Sequence, residues 1–363
     1  MSYFLKKQIR PTTSVLHVLS SPLPQSLLRA LILSSFIALF LGSFAAHATV
    51  GSYDYWWPRN LEEYFQQIES TKSGDLEVAQ SPLNSSATAK NRSAQCPQRV
   101  QFLKNKEVLD IRYALGYFDE SFGREAADAK WGYSYSLDQI AFETLKDFLL
   151  KPCSFNSVRQ LCGFSKESSQ DGIVVLRKEV QNGPDLRVTL TGSSASPLFL
   201  ANTGELKLLQ KQISAQSEAN FLDGIRSADI VFYNGHSRDG GGPDFDPPVL
   251  RPSDLKPNYS GHYQARRPGQ KKMLAALKQR SQSSPAVLGL FSCYSERHFV
   301  KSVKATSPQL SLITSVRAVD YLNTILASMG YLEGLLQAKC GDDLDQMAKQ
   351  NPYISIGFIQ HNL

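Results

Sequence analysis

Past its first 48 residues the chain has no apolar run long enough to cross a bilayer, and nowhere does it have a Cys-x-x-Cys pair. No His stands at metal-ligand spacing to any of the five cysteines. A zinc site is therefore not expected, and neither a metal nor a cofactor is implied by any motif. Positive charge is also scarce where it would matter. Of the formal +6, the four charges of Lys6, Lys7, Arg10 and Arg29 precede position 49 with no acid among them, which leaves the rest of the chain at +2. That balance speaks against a nucleic-acid partner. The run Gly240-Gly-Gly242 lacks the downstream Lys-Ser/Thr and the following helix of a phosphate-cradling loop, so a nucleotide is not expected either. Gly and Pro are not in excess, with 42% hydrophobic and 20% charged residues, so the composition is that of a chain that folds.

What is present begins with a targeting signal. A basic lead runs into the apolar stretch Ala30 to Ala46 and then Ala46-His47-Ala48, the three parts of a secretory signal peptide. Residues 1–48 are read as that peptide, cleaved between Ala48 and Thr49. The alternative is an uncleaved anchor, since the apolar run is near the lower limit of about 17 residues for a span. With cleavage, no stable membrane span remains, and the protein is expected in a secreted or periplasmic setting. Cys96, Cys153, Cys162, Cys293 and Cys340 then meet an oxidising compartment, and their odd number leaves one thiol over. With Cys293 as the odd thiol, the other four allow three pairings, with a lean to Cys153–Cys162.

Residues 49–95 combine an aromatic segment, Tyr53-Asp-Tyr-Trp-Trp-Pro58, with Leu61, Tyr64, Phe65 and Ile68 at helical spacing and then a Ser-, Asn- and Lys-rich linker. Residues 96–170 read as a small mixed N-terminal region, with a weak strand at Val108 to Tyr117 and a helix over Leu137 to Leu150 stopped by Pro152. From 171 to 363 the order becomes strand, helix, strand. Two strands flank the Asn182-Gly183 turn, a helical stretch covers Leu206 to Ile225, and a helix spans Met273 to Gln279. A strand then covers Leu310 to Ser315 and a long helix Ala318 to Ala338. This alternation predicts a mostly parallel α/β sheet with helices on both faces.

Two apolar runs in that region end on reactive side chains: Ala228-Asp-Ile-Val-Phe-Tyr-Asn-Gly-His236-Ser237, and Ala286-Val-Leu-Gly-Leu-Phe-Ser-Cys293. Runs bounded by Gly, Asn and Ser read as buried parallel strands, which places His236 and Cys293 at carboxyl ends, where open α/β sheets bind ligands. A thiol with a pKa of about 8.5 is mostly protonated at neutral pH and needs a base, which an imidazole supplies. Backbone N–H groups at Ser237 and Cys293 are candidates to receive the oxyanion. His262 lies in a polar loop, and His298 and His361 lack strand-end context. A surface role suits these three. The pairs Arg266-Arg267 and Lys271-Lys272 read as a solvated face or, less readily, a processing site.

In these two motifs, and in the order His before Cys, the chain resembles the caspase-fold cysteine peptidases, the group of caspases, metacaspases, gingipains and clostripain. The resemblance covers roughly residues 171 to 340. It implies a caspase-like domain at 171–363, an exported cysteine endopeptidase acting on a peptide or protein substrate, His236 as general base, Cys293 as nucleophile, and Ser237 and Cys293 as oxyanion donors. Phe291 stands where metacaspases carry a substrate-binding Asp. Arg317, just past the third strand, is then a candidate to attract an acidic substrate side chain, or else to pair with Asp320 three residues on. The alternative function is a non-catalytic secreted binding or structural module of the same fold.

Overall fold

The computed structural model describes Glu63, Gln66 and residues 96–118, 136–155, 157–196, 202–280, 287–349, 357–361 and 363. The expected signal peptide and nearly all of the aromatic segment and linker lie outside these residues. Among the described residues, eight strands form one sheet: β1 (Val108–Leu115), β2 (Ser165–Gln170), β3 (Ile173–Lys178), β4 (Asp185–Thr191), β5 (Ile230–Asn234), β6 (Val287–Phe291), β7 (Ser311–Ser315) and β8 (Phe358–His361). Their spatial order is β2-β3-β4-β1-β5-β6-β7-β8. The five central strands, β4-β1-β5-β6-β7, are mutually parallel, while β2, β3 and β8 run antiparallel to their neighbours. The expected α/β class, a mostly parallel sheet with helices on both faces, is present.

Among the described residues, seven helices cover the sheet: α1 (residues 96–104), α2 (Leu137–Leu150), α3 (Lys207–Ser227), α4 (Pro268–Lys278), α5 (Ser295–Thr306), α6 (Tyr321–Leu336) and α7 (Gly341–Lys349). Right-handed crossovers taken in one direction place their helices on one face. The steps β4→β5→β6→β7 all run one way, so α3, α4 and α5 share a face, with Phe221, Ile225, Met273, Leu277, Phe299 and Val303 in its core. On the other face α2, α6 and α7 bury Phe142, Leu145, Ile325, Leu332 and Leu344. Strand β5 shows why a continuous apolar run was legible as a central strand. Ile230 and Phe232 enter the second core and Val231 and Tyr233 the first, so neither face tolerates a polar residue.

The structure differs from the sequence reading in where the sheet starts. The division expected between residues 170 and 171 falls inside the β2–β3 hairpin, and β1 lies at the centre of the sheet, paired to β4 on one side and β5 on the other. A strand inside residues 96–170 thus completes the domain expected at 171–363. Strand β2 is exposed along its whole length, a polar edge of Ser, Lys, Glu and Gln that offers no apolar strand for unwanted pairing. Two disulfides join Cys96 to Cys340 and Cys153 to Cys162, and Cys293 is the free thiol. Among the described residues no helix is long and apolar enough to cross a membrane.

Candidate active site at the carboxyl edge of the sheet

Strands β5 and β6 pair in parallel with Asn234 opposite Phe291, and the Gly235 N–H donates to the Phe291 carbonyl at 3.3 Å. His236 and Cys293 are each two residues beyond that matched pair. Both therefore follow directly after neighbouring strand ends, and both are half-buried.

The His236 end is built by close approach. A Cβ on Gly235 would lie 2.5 Å from the Tyr233 hydroxyl and 3.0 Å from the Gly116 Cα, so only Gly lets the chain pass between them. The Tyr233 hydroxyl donates to the His236 carbonyl and accepts the Asp244 N–H, both at 2.9 Å. Asp244 in turn receives the buried Arg238 Nε at 2.8 Å and the Tyr263 hydroxyl at 3.2 Å. This buried ion pair closes the Gly-rich loop back on the strand, and a single 3-10 turn, Arg238–Gly240, is the helical element it contains. The His236 ring stacks on Phe118, with centroids 4.6 Å apart and planes 5° off parallel, and Phe118 stacks on Tyr321 at 4.3 Å. Burial, and after it the Arg238 guanidinium, push the His236 pKa well below the ordinary imidazole value. A hydrogen bond with the Phe118 backbone opposes this. The ring is accordingly neutral at physiological pH.

The Cys293 end is a strand–turn–helix junction. Tyr294 takes a left-handed backbone, φ 51°, and its N–H donates to the Arg317 carbonyl at 2.9 Å. Ser295 donates to the Leu290 carbonyl at 2.6 Å and accepts the Ser315 N–H at 2.8 Å, while the Ser315 hydroxyl donates to the Ser292 carbonyl at 2.8 Å. These bonds fix the turn on which the thiol sits. The thiol itself donates to the Val319 carbonyl at 3.5 Å. The segment leading into α6 thus meets the thiol directly, at Val319, and reaches the imidazole through Phe118, on which Tyr321 stacks. The backbone N–H groups of Ser237 and Cys293 donate to no other group among the described residues, as oxyanion donors require.

Neither a family model, nor a curated protein, nor a solved structure matches this chain.

Three placements differ from the sequence reading. Asp320 does not pair with Arg317. Its carboxylate caps α6 by accepting the Asn323 N–H at 2.9 Å, because a helix start offers unpaired donors nearer than an exposed guanidinium. His298 is half-buried and lines a cleft of about 620 Å³ with Asp239, Gly240, Gln264, Arg267, Tyr294 and Arg297. His361 lies on β8, its Nε2 3.2 Å from the Thr314 hydroxyl. The Arg238–Asp244–Tyr263 cluster and the cleft arginines were missed by sequence. Arg266-Arg267 was visible as a basic pair, and Arg297 followed Cys293 by one helical turn, but neither spacing discloses a shared cavity.

Proposed function

We propose that the chain is an exported cysteine endopeptidase of caspase-like fold, with His236 as general base and Cys293 as nucleophile. The observation that supports this is the parallel pairing of β5 with β6, since an imidazole and the chain's free thiol each follow two residues after those adjacent strand ends. The neutral imidazole is the form able to take the thiol proton as sulfur attacks a peptide carbonyl. The oxyanion is received by the Ser237 and Cys293 N–H groups, and the imidazolium then protonates the leaving amine. Water, deprotonated by the same ring, hydrolyses the thioester and restores the thiol. The hydrogen bond of Cys293 to Val319 belongs to the state without substrate, in which catalytic contacts are commonly loose. Export is supported by the Ala46-His47-Ala48 site and by the two disulfides.

One observation favours a second reading, a non-catalytic binding module. The thiol donates to a main-chain carbonyl, and the imidazole lies flat on Phe118. Hydrolysis separates the two. Cys293→Ala and His236→Ala are each expected to abolish cleavage of a quenched peptide library, and the double variant to lose no more than either alone, since the two act as one unit. Circular dichroism checks that both variants fold. A folded Cys293→Ala protein that retains hydrolysis would falsify the peptidase reading.

A further inference from the structure

Helix α1 begins at Cys96, and one turn on it carries Arg99, whose guanidinium lies against the Cys96–Cys340 disulfide. Its Nη2 is 3.0 Å from the Cys96 sulfur, 3.9 Å from the Cys340 sulfur and 3.3 Å from the Lys339 carbonyl. Arg99 is 2% exposed, and among the described residues its Nε and Nη1 have no hydrogen-bond partner. Burial lowers its pKa only to about 10, so the group is a cation at neutral pH. An interior charge without a counter-ion is costly.

A disulfide cannot supply that counter-ion, but a thiolate can. A neighbouring arginine lowers the pKa of a thiol, and a thiol of lower pKa leaves a disulfide faster. The two sulfurs differ in both access and charge. Cys96 is 1% exposed whereas Cys340 is half-buried, so an attacking thiolate meets Cys340 first. Cys340 also caps α7, its carbonyl accepting the Leu344 N–H at 3.3 Å, but Asp342 and Asp343 already occupy that first turn. Negative charge is therefore favoured at Cys96. At the other disulfide the nearby cation is already answered: Lys178, 3.7 Å from the Cys153 sulfur, donates to the Gln160 carbonyl at 2.7 Å and is drawn to the Glu333 carboxylate.

We propose that Cys340 is the entry point of a thiol-exchange site, where a small thiol reductant opens Cys96–Cys340 and the Cys96 thiolate leaves onto Arg99. The reductant's thiolate attacks the Cys340 Sγ, the bond between the two sulfurs breaks, and its electron pair leaves on Cys96. A second reductant thiolate attacks the mixed disulfide, pairs with the first as an oxidised disulfide, and releases Cys340, which takes a proton from solvent. The site is separate from the proposed dyad: Val319 and Tyr321 stand at the start of α6, and Cys340 follows its end.

Graded mixtures of reduced and oxidised glutathione test this on the chain after export, carrying Cys293→Ala so that no other thiol exchanges. Acid quenching, alkylation and mass mapping then read each cysteine. A glutathione adduct should build on Cys340 and not on Cys96. Arg99→Met should slow the opening and shift its equilibrium about tenfold or more toward the disulfide, as for a change of one unit in thiol pKa, with Cys153–Cys162 unchanged. Arg99→Lys keeps the charge and should stay near the parent. A merely structural Arg99 has the opposite sign, because loosening α1 would expose the bond and speed its reduction. Circular dichroism checks that Arg99→Met folds, and the adduct position on the Arg99 protein tests the site whether it does or not. A Cys96–Cys340 bond that resists millimolar reduced glutathione, an adduct on Cys96, or an Arg99→Met protein that opens as fast as the parent or faster overturns the assignment.

Discussion

At the scale of single residues, His236 ties chemistry to stability. Its pKa in the folded protein lies well below the ordinary 6.5 of the unfolded chain, mainly because burial disfavours the imidazolium. Below pH 6.5 the unfolded chain takes up a proton that the folded site resists, so unfolding is favoured as pH falls. The neutral ring's contribution is complete above 6.5 and is lost on acidification toward the folded value. Urea midpoints measured between about pH 7 and pH 5 should therefore fall less steeply in His236→Gln than in the parent, because Gln cannot titrate. Parallel profiles for the two proteins would show that the ring is solvated rather than buried. Cys293 illustrates what single residues disclose: its oddness in the cysteine count was legible, whereas its hydrogen bond to Val319 depends on a residue 26 positions away.

At the scale of elements, the long periodic pieces were the legible ones. Helix α2 runs over Leu137–Leu150, the bounds set by its apolar face and Pro152, and β5 and β6 run where the apolar stretches ran. Strand β2 and the short pair α7 and β8 were not legible. A fully exposed strand such as Ser165–Gln170 carries no apolar alternation, and a four-residue strand is too short to display a period. Helix α6 holds a polar device that periodicity hides. The buried Glu333 carboxylate accepts the Gln160 and Leu161 N–H groups at 2.7 and 2.9 Å and the Gln337 amide at 2.6 Å. It thereby pins the Cys153–Cys162 loop to the helix. Glu333→Ala strands two backbone donors in the interior and is expected to destabilise the protein by about 3 kcal/mol or more, with Glu333→Gln milder because one acceptor remains. Denaturant unfolding measures this, and equal midpoints for Glu333→Ala and the parent would refute the role.

At the scale of the whole molecule, Cys96–Cys340 links the start of the described domain to the turn before α7, with the buried Arg99 guanidinium donating to the Lys339 carbonyl at 3.3 Å. Burial lowers the Arg99 pKa to about 10. Replacing both Cys96 and Cys340 by Ser should cost about 2–5 kcal/mol, as loss of a native disulfide typically does. Thiol mapping of the folded, unreduced protein should label Cys293 alone. A disulfide at Cys293 would contradict both this pairing and the proposed nucleophile.

Local pattern by itself determined the class of this protein: apolar runs of strand length, helical faces between them, and a reactive residue after two of the strands. These are short-range properties, set by side-chain period and by Gly or Pro at the ends. Only tertiary structure decided that β1 lies in mid-sheet, that Asn234 faces Phe291, and that Arg267 and Arg297 share one cleft. The reason is that strand order and register follow from which apolar faces are buried together across long loops. Closing such a loop costs little more as it lengthens, so spacing along the chain carries almost no information about which strands meet.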